Sequence, residues 1–199
     1  MGQYSRGGSW IVIAGLACAM LAGCSMGTPS SGDSSGIVSR ALEWAREGGA
    51  DPEQIAILEK GEVSFADYES AVNRTLQCMH DAGIDVLGPT LDNSTGLTIL
   101  NYSWSPELPG MSEDQGTAIG DDCIDRYSHW VETSWQLQPS SMEAKERFFD
   151  GYRETIVACI RQNGGTVKDD VTREETAIAA TDVVNKTGVD CFTQAGISR

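Results

Sequence analysis

Beyond residue 24 of this 199-residue chain, a cysteine is followed five residues later by a glycine at three places. These C-x4-G segments are Cys78 to Gly83, Cys159 to Gly164 and Cys191 to Gly196. Glycine readily adopts the left-handed backbone conformation in which helices commonly end. Each segment therefore predicts a helix that carries a cysteine in its last turn and stops at a glycine. Two explanations of the pattern are open. One is a faint internal duplication of the sequence, and the other is that helix ends are favourable positions for disulfide cross-links.

The N-terminus has the layout of an export signal. Arg6 supplies a positive charge, residues 10–22 are uncharged and mostly apolar, and two small residues precede Cys24. An apolar run of about 13 residues is too short to span a hydrocarbon layer of ~30 Å as a permanent helix. The sequence thus predicts a cleavable leader at 1–23. A secretory leader with an incidental cysteine and an uncleaved membrane anchor are the alternatives.

The residues around the predicted cleavage site, Leu21-Ala22-Gly23-Cys24, resemble the lipobox of bacterial lipoproteins at all four positions. The resemblance implies that the Cys24 sulfur receives a diacylglycerol group and that a signal peptidase cuts before Cys24. Two acyl chains anchor a protein stably where one does not. Residues 24–36, rich in serine and glycine, then form a flexible tether. We expect one extracytoplasmic domain at 37–199, held at the outer face of the cell membrane.

Export makes the cysteine count informative. One of the six cysteines leaves with the leader and one is acylated, so four remain in the domain. An even number in an exported domain indicates disulfides, and zinc is disfavoured because the chain lacks C-x-x-C and has only two histidines. Four cysteines allow three pairings. We favour Cys78–Cys123 with Cys159–Cys191, because each would join the end of one helix to a later helix.

The chain is strongly acidic. Its 14 basic and 29 acidic residues give a formal net charge of −15, which becomes one unit more negative when Arg6 leaves with the leader. Such a surface repels nucleic acid and anionic lipid headgroups, so neither is expected as an electrostatic partner. One explanation of this negative charge is that it keeps an exported domain soluble. Binding of a cation or of a basic partner is the alternative.

Apolar spacing predicts a mostly helical domain. Helices are predicted at 37–47, 51–60, 64–82, 119–137, 140–163 and 172–184, with a last short helix that carries Cys191. At 84–104 the apolar residues alternate with polar ones on both sides of the turn-forming segment 92–96, which predicts a β-hairpin. Residues 105–117 are expected to form a loop. The predicted fold class is mainly α with a small β-hairpin, an α+β domain stapled by disulfides.

Sequence motifs assign no catalytic residue, no metal ligand and no cofactor. The chain has no phosphate loop, no H-E-x-x-H motif and no G-x-S-x-G nucleophile elbow. Ser128, His129 and Asp125 lie within about one helical turn, which is poor geometry for a catalytic triad. The acidic residues between 113 and 125 lack the EF-hand spacing that a calcium site would require.

Tryptophans provide the strongest indication of a ligand surface. Trp104 ends the predicted hairpin and Trp130 lies on a later helix, and together they could line a groove for a sugar or a peptide. Packing within the core and the hairpin is the alternative interpretation.

The lipobox, the cysteines at helix ends and the serine-rich tether together resemble the small, acidic, cysteine-paired lipoproteins of actinobacterial envelopes. The resemblance implies a location on the lipid bilayer rather than an activity. We expect a non-catalytic module that binds a protein or a cell-wall ligand. The alternatives are an extracytoplasmic hydrolase with an unrecognised site and a structural envelope spacer. The sequence does not predict an oligomeric state.

Overall fold

A computed structural model describes residues 34–197. Its helices are α1 (Ser34–Glu47), α2 (Pro52–Leu58), α3 (Phe65–Asp81), α4 (Glu113–Tyr127), α5 (His129–Leu137), α6 (Pro139–Asp150), α7 (Arg153–Gln162), α8 (Arg173–Thr187) and α9 (Cys191–Gln194). Strands β1 (Val86–Asp92) and β2 (Ile99–Trp104) pair antiparallel as a hairpin. The predicted fold class, mainly α with one small hairpin, is confirmed. The leader, Cys24 and most of the predicted tether lie outside the described residues.

Two helices begin earlier than their apolar spacing predicts. Helix α1 starts at Ser34, inside the predicted tether, and α4 starts at Glu113, inside the predicted loop 105–117. The cause at α4 is a capping box, because the Ser112 hydroxyl accepts from the Gln115 backbone N–H while the Gln115 side chain accepts from the Ser112 N–H. Across 34–197, no helix is both long enough and apolar enough to cross a membrane.

Two of the three longest predicted helices are each broken in the structure. The segment 119–137 divides at Ser128, and the segment 140–163 divides at residues 151–152. Apolar spacing continues across both breaks, so the sequence pattern alone does not reveal them.

The break at Ser128 is held by a distant buried amide, that of Gln54 on α2. The Gln54 Nε2 donates to the carbonyls of Asp125 and Arg126, at 3.1 and 2.8 Å. Its Oε1 accepts from the Trp130 backbone N–H at 2.8 Å. One side chain that is 1% exposed therefore satisfies backbone groups at the end of α4 and at the start of α5.

A second buried amide, that of Gln138, fixes the junction between α5 and α6. The Val63 N–H donates to the Gln138 Oε1 at 3.0 Å, and the Gln138 Nε2 donates to the Val63 carbonyl at 2.8 Å. Because Val63 lies between α2 and α3, this pair of bonds ties the start of α6 to the N-terminal half of the domain.

Buried apolar residues form two separate clusters. The first core comprises sixteen buried residues from α1 to α5, the hairpin and their connections. The second core comprises eight, from α6 to α9 and Ile197. The disulfide Cys78–Cys123 joins α3 to α4 beside the first core, and Cys159–Cys191 joins α7 to α9 within the second. These are the two pairings that the sequence favours.

The three C-x4-G segments end their helices in the same way. Their glycines have positive φ angles of 83°, 81° and 90° at positions 83, 164 and 196. In each, the residue after the glycine donates its N–H to the carbonyl of the residue after the cysteine: Ile84 to Met79, Gly165 to Ile160, and Ile197 to Phe192. This bond is the six-to-one closure of the Schellman motif. The sequence repeat is therefore a repeated helix ending.

Candidate functional site

A cavity of about 230 Å³ opens where the hairpin turn meets helices α6, α8 and α9. Its walls are formed by Ser94, Thr95, Lys145, Phe148, Phe149, Arg173, Ala177, Phe192 and Ile197. Drug-sized ligands occupy roughly 300–1,000 Å³, and an apolar cavity of about 150 Å³ holds benzene. The volume thus suits a ligand somewhat larger than one aromatic ring. A larger cleft of about 410 Å³, beside residues 164–166, is lined mainly by small and charged side chains of α8.

A glycine allows the hairpin turn to approach α6 closely. Gly96 has a φ of +78°, and a Cβ placed there would lie 2.2 Å from the Phe148 Cβ. Any other residue would collide with α6 and would also be strained in this backbone conformation. The turn that carries Ser94 and Thr95 is therefore held against the Phe148 side of the cavity.

Aromatic rings of α6 form much of the apolar wall. Phe149 is 1% exposed, and the Arg153 guanidinium lies 4.7 Å from its ring centroid. The neighbouring Phe148 ring lies 5.0 Å from that of Tyr152. Both phenylalanines thus contact residues that do not line the cavity, and these contacts hold the wall in place without a ligand.

Two cationic side chains lie at the cavity beside these rings. The half-buried Lys145 donates from Nζ to the Gln136 carbonyl at 2.9 Å, and within 34–197 no carboxylate lies within 4 Å of it. Arg173 is 4.0 Å from the Glu146 carboxylate, measured from Nε to Oε2. Burial lowers the pKa of the Lys145 ammonium, and the positive charge of Arg173 lowers it further. The cavity therefore combines an apolar wall with positive charge in a protein that is otherwise acidic.

The two tryptophans that the sequence suggests as a ligand surface have different neighbours. Trp104 packs against α4, where a Cβ at Gly120 would lie 2.5 Å from its Cη2. Trp130 lies with its ring centroid 5.4 Å from that of Trp44 and 4.5 Å from that of His129. No ring contact among the described side chains joins Trp104 to Trp130. A shared ligand surface at these two residues stays a prediction.

The Ser128, His129 and Asp125 side chains do not form a catalytic arrangement. Ser128 is fully buried, and its hydroxyl donates to the Glu132 carboxylate at 2.6 Å while it accepts from the Thr75 hydroxyl at 2.7 Å. His129 is half-buried, with its Nδ1 3.8 Å from the Asp125 Oδ1. The Ser128 hydroxyl thus links Thr75 on α3 to Glu132 on α5 through buried hydrogen bonds. Within the described range, no three His, Cys, Asp or Glu side chains are placed to hold a metal ion.

Sequence reasoning missed the cavity because its walls come from four separate stretches of the chain. The only local signal is the adjacent pair Phe148 and Phe149 on α6, which both line the cavity. Nothing near Lys145 in the sequence indicates that Arg173 and the hairpin turn lie beside it. Comparisons of the chain with known protein families, with curated proteins and with solved structures found no match.

Proposed function

We propose that this chain is a lipoprotein, anchored through acylated Cys24 at the outer face of the cell membrane, whose domain is a non-catalytic module that binds a small ligand. The observation that carries the binding part is the preformed cavity between the hairpin turn and helices α6, α8 and α9. Its apolar rings, hydroxyls and two cations are groups that hold a ligand by contact and by charge.

Two features of the chain support the location. The lipobox-like residues 21–24 follow an apolar leader. Four cysteines of the domain form two disulfides, and disulfides persist in oxidising compartments such as the space outside a bacterial membrane. A chain that is exported and then acylated at Cys24 would have both the lipobox-like segment and the disulfides.

The anchor would keep the cavity close to the bilayer. Residues 24–33 precede the described helix α1, and a flexible chain of that length has an end-to-end distance of roughly 20 Å. The domain would therefore meet ligands that are present at the membrane surface or arrive there through the envelope.

The test of the anchor compares two single substitutions, Cys24→Ser and Cys18→Ser. Cys24→Ser removes the proposed acylated sulfur, whereas Cys18→Ser makes the same change in the apolar part of the leader. We expect the unaltered chain and Cys18→Ser to incorporate labelled palmitate and to lose residues 1–23. We expect Cys24→Ser to incorporate no label and to keep its leader. Membrane association of a Cys24→Ser chain whose leader has been cut would overturn the proposal.

A further inference from the structure

From the charges and walls of the cavity we infer its ligand class: a small amphiphilic monoanion, a carboxylate on an apolar body of about ten non-hydrogen atoms. The inference rests on the proposed function as a binding module and adds the chemistry of the ligand. Three observations carry it: the surplus of positive charge, the apolar wall and the volume.

The two cations that line the cavity, Lys145 and Arg173, counted together with the ion pairs beside them, leave a surplus of one positive charge. Arg153 pairs with Asp150 and, at 3.1 Å, also with Glu146. Arg173 lies 4.0 Å from the same Glu146. Two carboxylates therefore serve two guanidinium groups, and the Lys145 ammonium is left without a carboxylate within 4 Å among the described residues. One surplus positive charge favours a monoanion over a dianion.

The Lys145 ammonium has unused hydrogen-bonding capacity. An ammonium carries three donors, and the Gln136 carbonyl takes one of them. A half-buried charge without an opposite charge is costly, and a carboxylate that reaches it forms a charge-assisted hydrogen bond. The long-range field of an acidic protein repels anions, so the attraction must come from groups that touch the ligand.

The apolar part of the ligand would lie against aromatic rings. Phe148, Phe149 and Phe192 line the cavity together with Ala177 and Ile197. Aromatic pairs in offset or edge-to-face contact are stabilised beyond the area they bury. A cavity of about 230 Å³ holds a single substituted ring. The probe of choice is therefore 3-phenylpropanoate, with 3-phenylpropan-1-ol and 3-phenylpropylamine as neutral and cationic counterparts of the same shape.

The binding experiment is isothermal titration calorimetry of the full chain in a neutral detergent, with blank titrations into detergent alone. We expect 3-phenylpropanoate to bind at least about tenfold more tightly than the alcohol and the amine, because a hydrogen bond to a charged group is stronger than a neutral one. Lys145→Met should reduce the affinity for the anion to that for the alcohol, and Lys145→Arg should preserve it.

The matched control is Arg147→Met. Arg147 lies on the same helix, its side chain is 70% exposed, and it is not among the residues that line the cavity. The substitution removes the same unit of charge from the protein, so it should leave all three affinities unchanged. A loss equal to that of Lys145→Met would show that the net charge of the protein, rather than this ammonium, controls binding and would overturn the inference.

A second variant, Ala177→Phe, separates the ligand class from the existence of the site. The larger side chain should fill the cavity and abolish binding of every probe, while circular dichroism verifies that the variant is folded. If the alcohol or the amine binds as tightly as the anion and Ala177→Phe abolishes that binding, the charge class is wrong but the binding module stands. If Ala177→Phe weakens binding of none of the three, both the inference and the binding part of the proposed function fail.

Discussion

The first core has sixteen buried residues and the second has eight, yet each is closed by one disulfide. The linked cysteines are 45 residues apart in the first case and 32 in the second. On the loop-entropy account, each cross-link stabilises the folded state by roughly 4 kcal/mol. The two cross-links thus contribute nearly equal stabilisation, but the numbers of buried apolar residues in the two cores differ twofold. Small cores depend on such cross-links more than large ones do.

The cores also differ in their buried polar ties. Gln54 and Gln138, both 1% exposed, bond to backbone groups around the first core. Helices α7 and α9 of the second core are instead tied to each other by their disulfide. The comparison predicts that the first core withstands the loss of a cross-link and that the second does not.

The largest expected effect comes from removing the second disulfide. In a chain carrying Cys159→Ala and Cys191→Ala, we expect a loss of roughly 4 kcal/mol from the free energy of unfolding of the second core. Hydrogen exchange followed by mass spectrometry should show α7 to α9 unprotected while α1 to α5 stay protected. The matched pair, Cys78→Ala with Cys123→Ala, should leave α3 and α4 protected under native conditions. Equal loss of protection throughout the chain in both variants would show that the two cores unfold as one unit.

A smaller effect is expected from cutting the amide tie between the halves. Gln138→Ala leaves the buried N–H and carbonyl of Val63 without partners, which should lower the free energy of unfolding by about 3 kcal/mol. The control is Gln136→Ala, which alters a half-buried amide nearby and should change stability by less than about 0.5 kcal/mol. Urea unfolding measures both. Equal effects would mean that Gln138 does not join the two halves.

The contact between the hairpin turn and α6 offers a further comparison. Gly96→Ala should lower the free energy of unfolding by at least about 2 kcal/mol, because a positive φ and a collision with Phe148 act together. Gly164→Ala shares only the backbone strain, since no atom lies within 4 Å of a Cβ there. Its effect should be about 1 kcal/mol. Thermal unfolding that ranks the two variants in the opposite order would contradict the packing of the turn on α6.

Acid should weaken both cores slightly through their capping boxes. Burial raises the pKa of Asp67 in α3, but hydrogen bonds from Lys60 and Ser64 lower it more, so the net shift is downward. The backbone hydrogen bond from Thr172 lowers the pKa of Glu175 in α8. A carboxyl group with a lowered pKa in the folded state stabilises it at higher pH, and this contribution is lost as the pH falls below about 4.

Urea unfolding at neutral pH and in this acidic range checks that expectation. Asp67→Asn and Glu175→Gln should each be less stable than the unaltered chain at neutral pH and should lose less stability on acidification. If a variant loses as much stability in acid as the unaltered chain, the carboxylate that it lacks is not a cause of the acid sensitivity.

Local sequence signals predicted most of the helix ends but not the breaks. The predicted helix starts at 64 and 172 agree with the structure, where Ser64 with Asp67 and Thr172 with Glu175 form capping boxes. Ser112 with Gln115 carries the same signal, but the prolines and glycine just upstream led to a predicted loop. The break at Ser128 depends on Gln54, which is distant in the chain, so no local window could reveal it.

The cavity was beyond prediction from the sequence for a related physical reason. Lys145 and Phe148 are one turn apart on α6, but the opposite wall comes from α8, α9 and the hairpin turn. Their proximity follows from how the second core packs against the first, which depends on contacts such as that of Gly96 with Phe148. The sequence analysis selected Trp104 and Trp130 because of their residue type. The cavity instead depends on where residues from distant parts of the chain lie in the fold.

The most direct test of the account is the intact mass of the protein extracted from membranes, measured before and after reduction in the presence of a thiol-alkylating reagent. We predict a chain that begins at Cys24, carries the mass of its acyl groups, and takes up no alkyl group until reduction, after which four cysteines react. A chain that retains residues 1–23 without acyl mass, or that has four reactive thiols before reduction, would contradict the proposal of an acylated, exported and disulfide-closed domain.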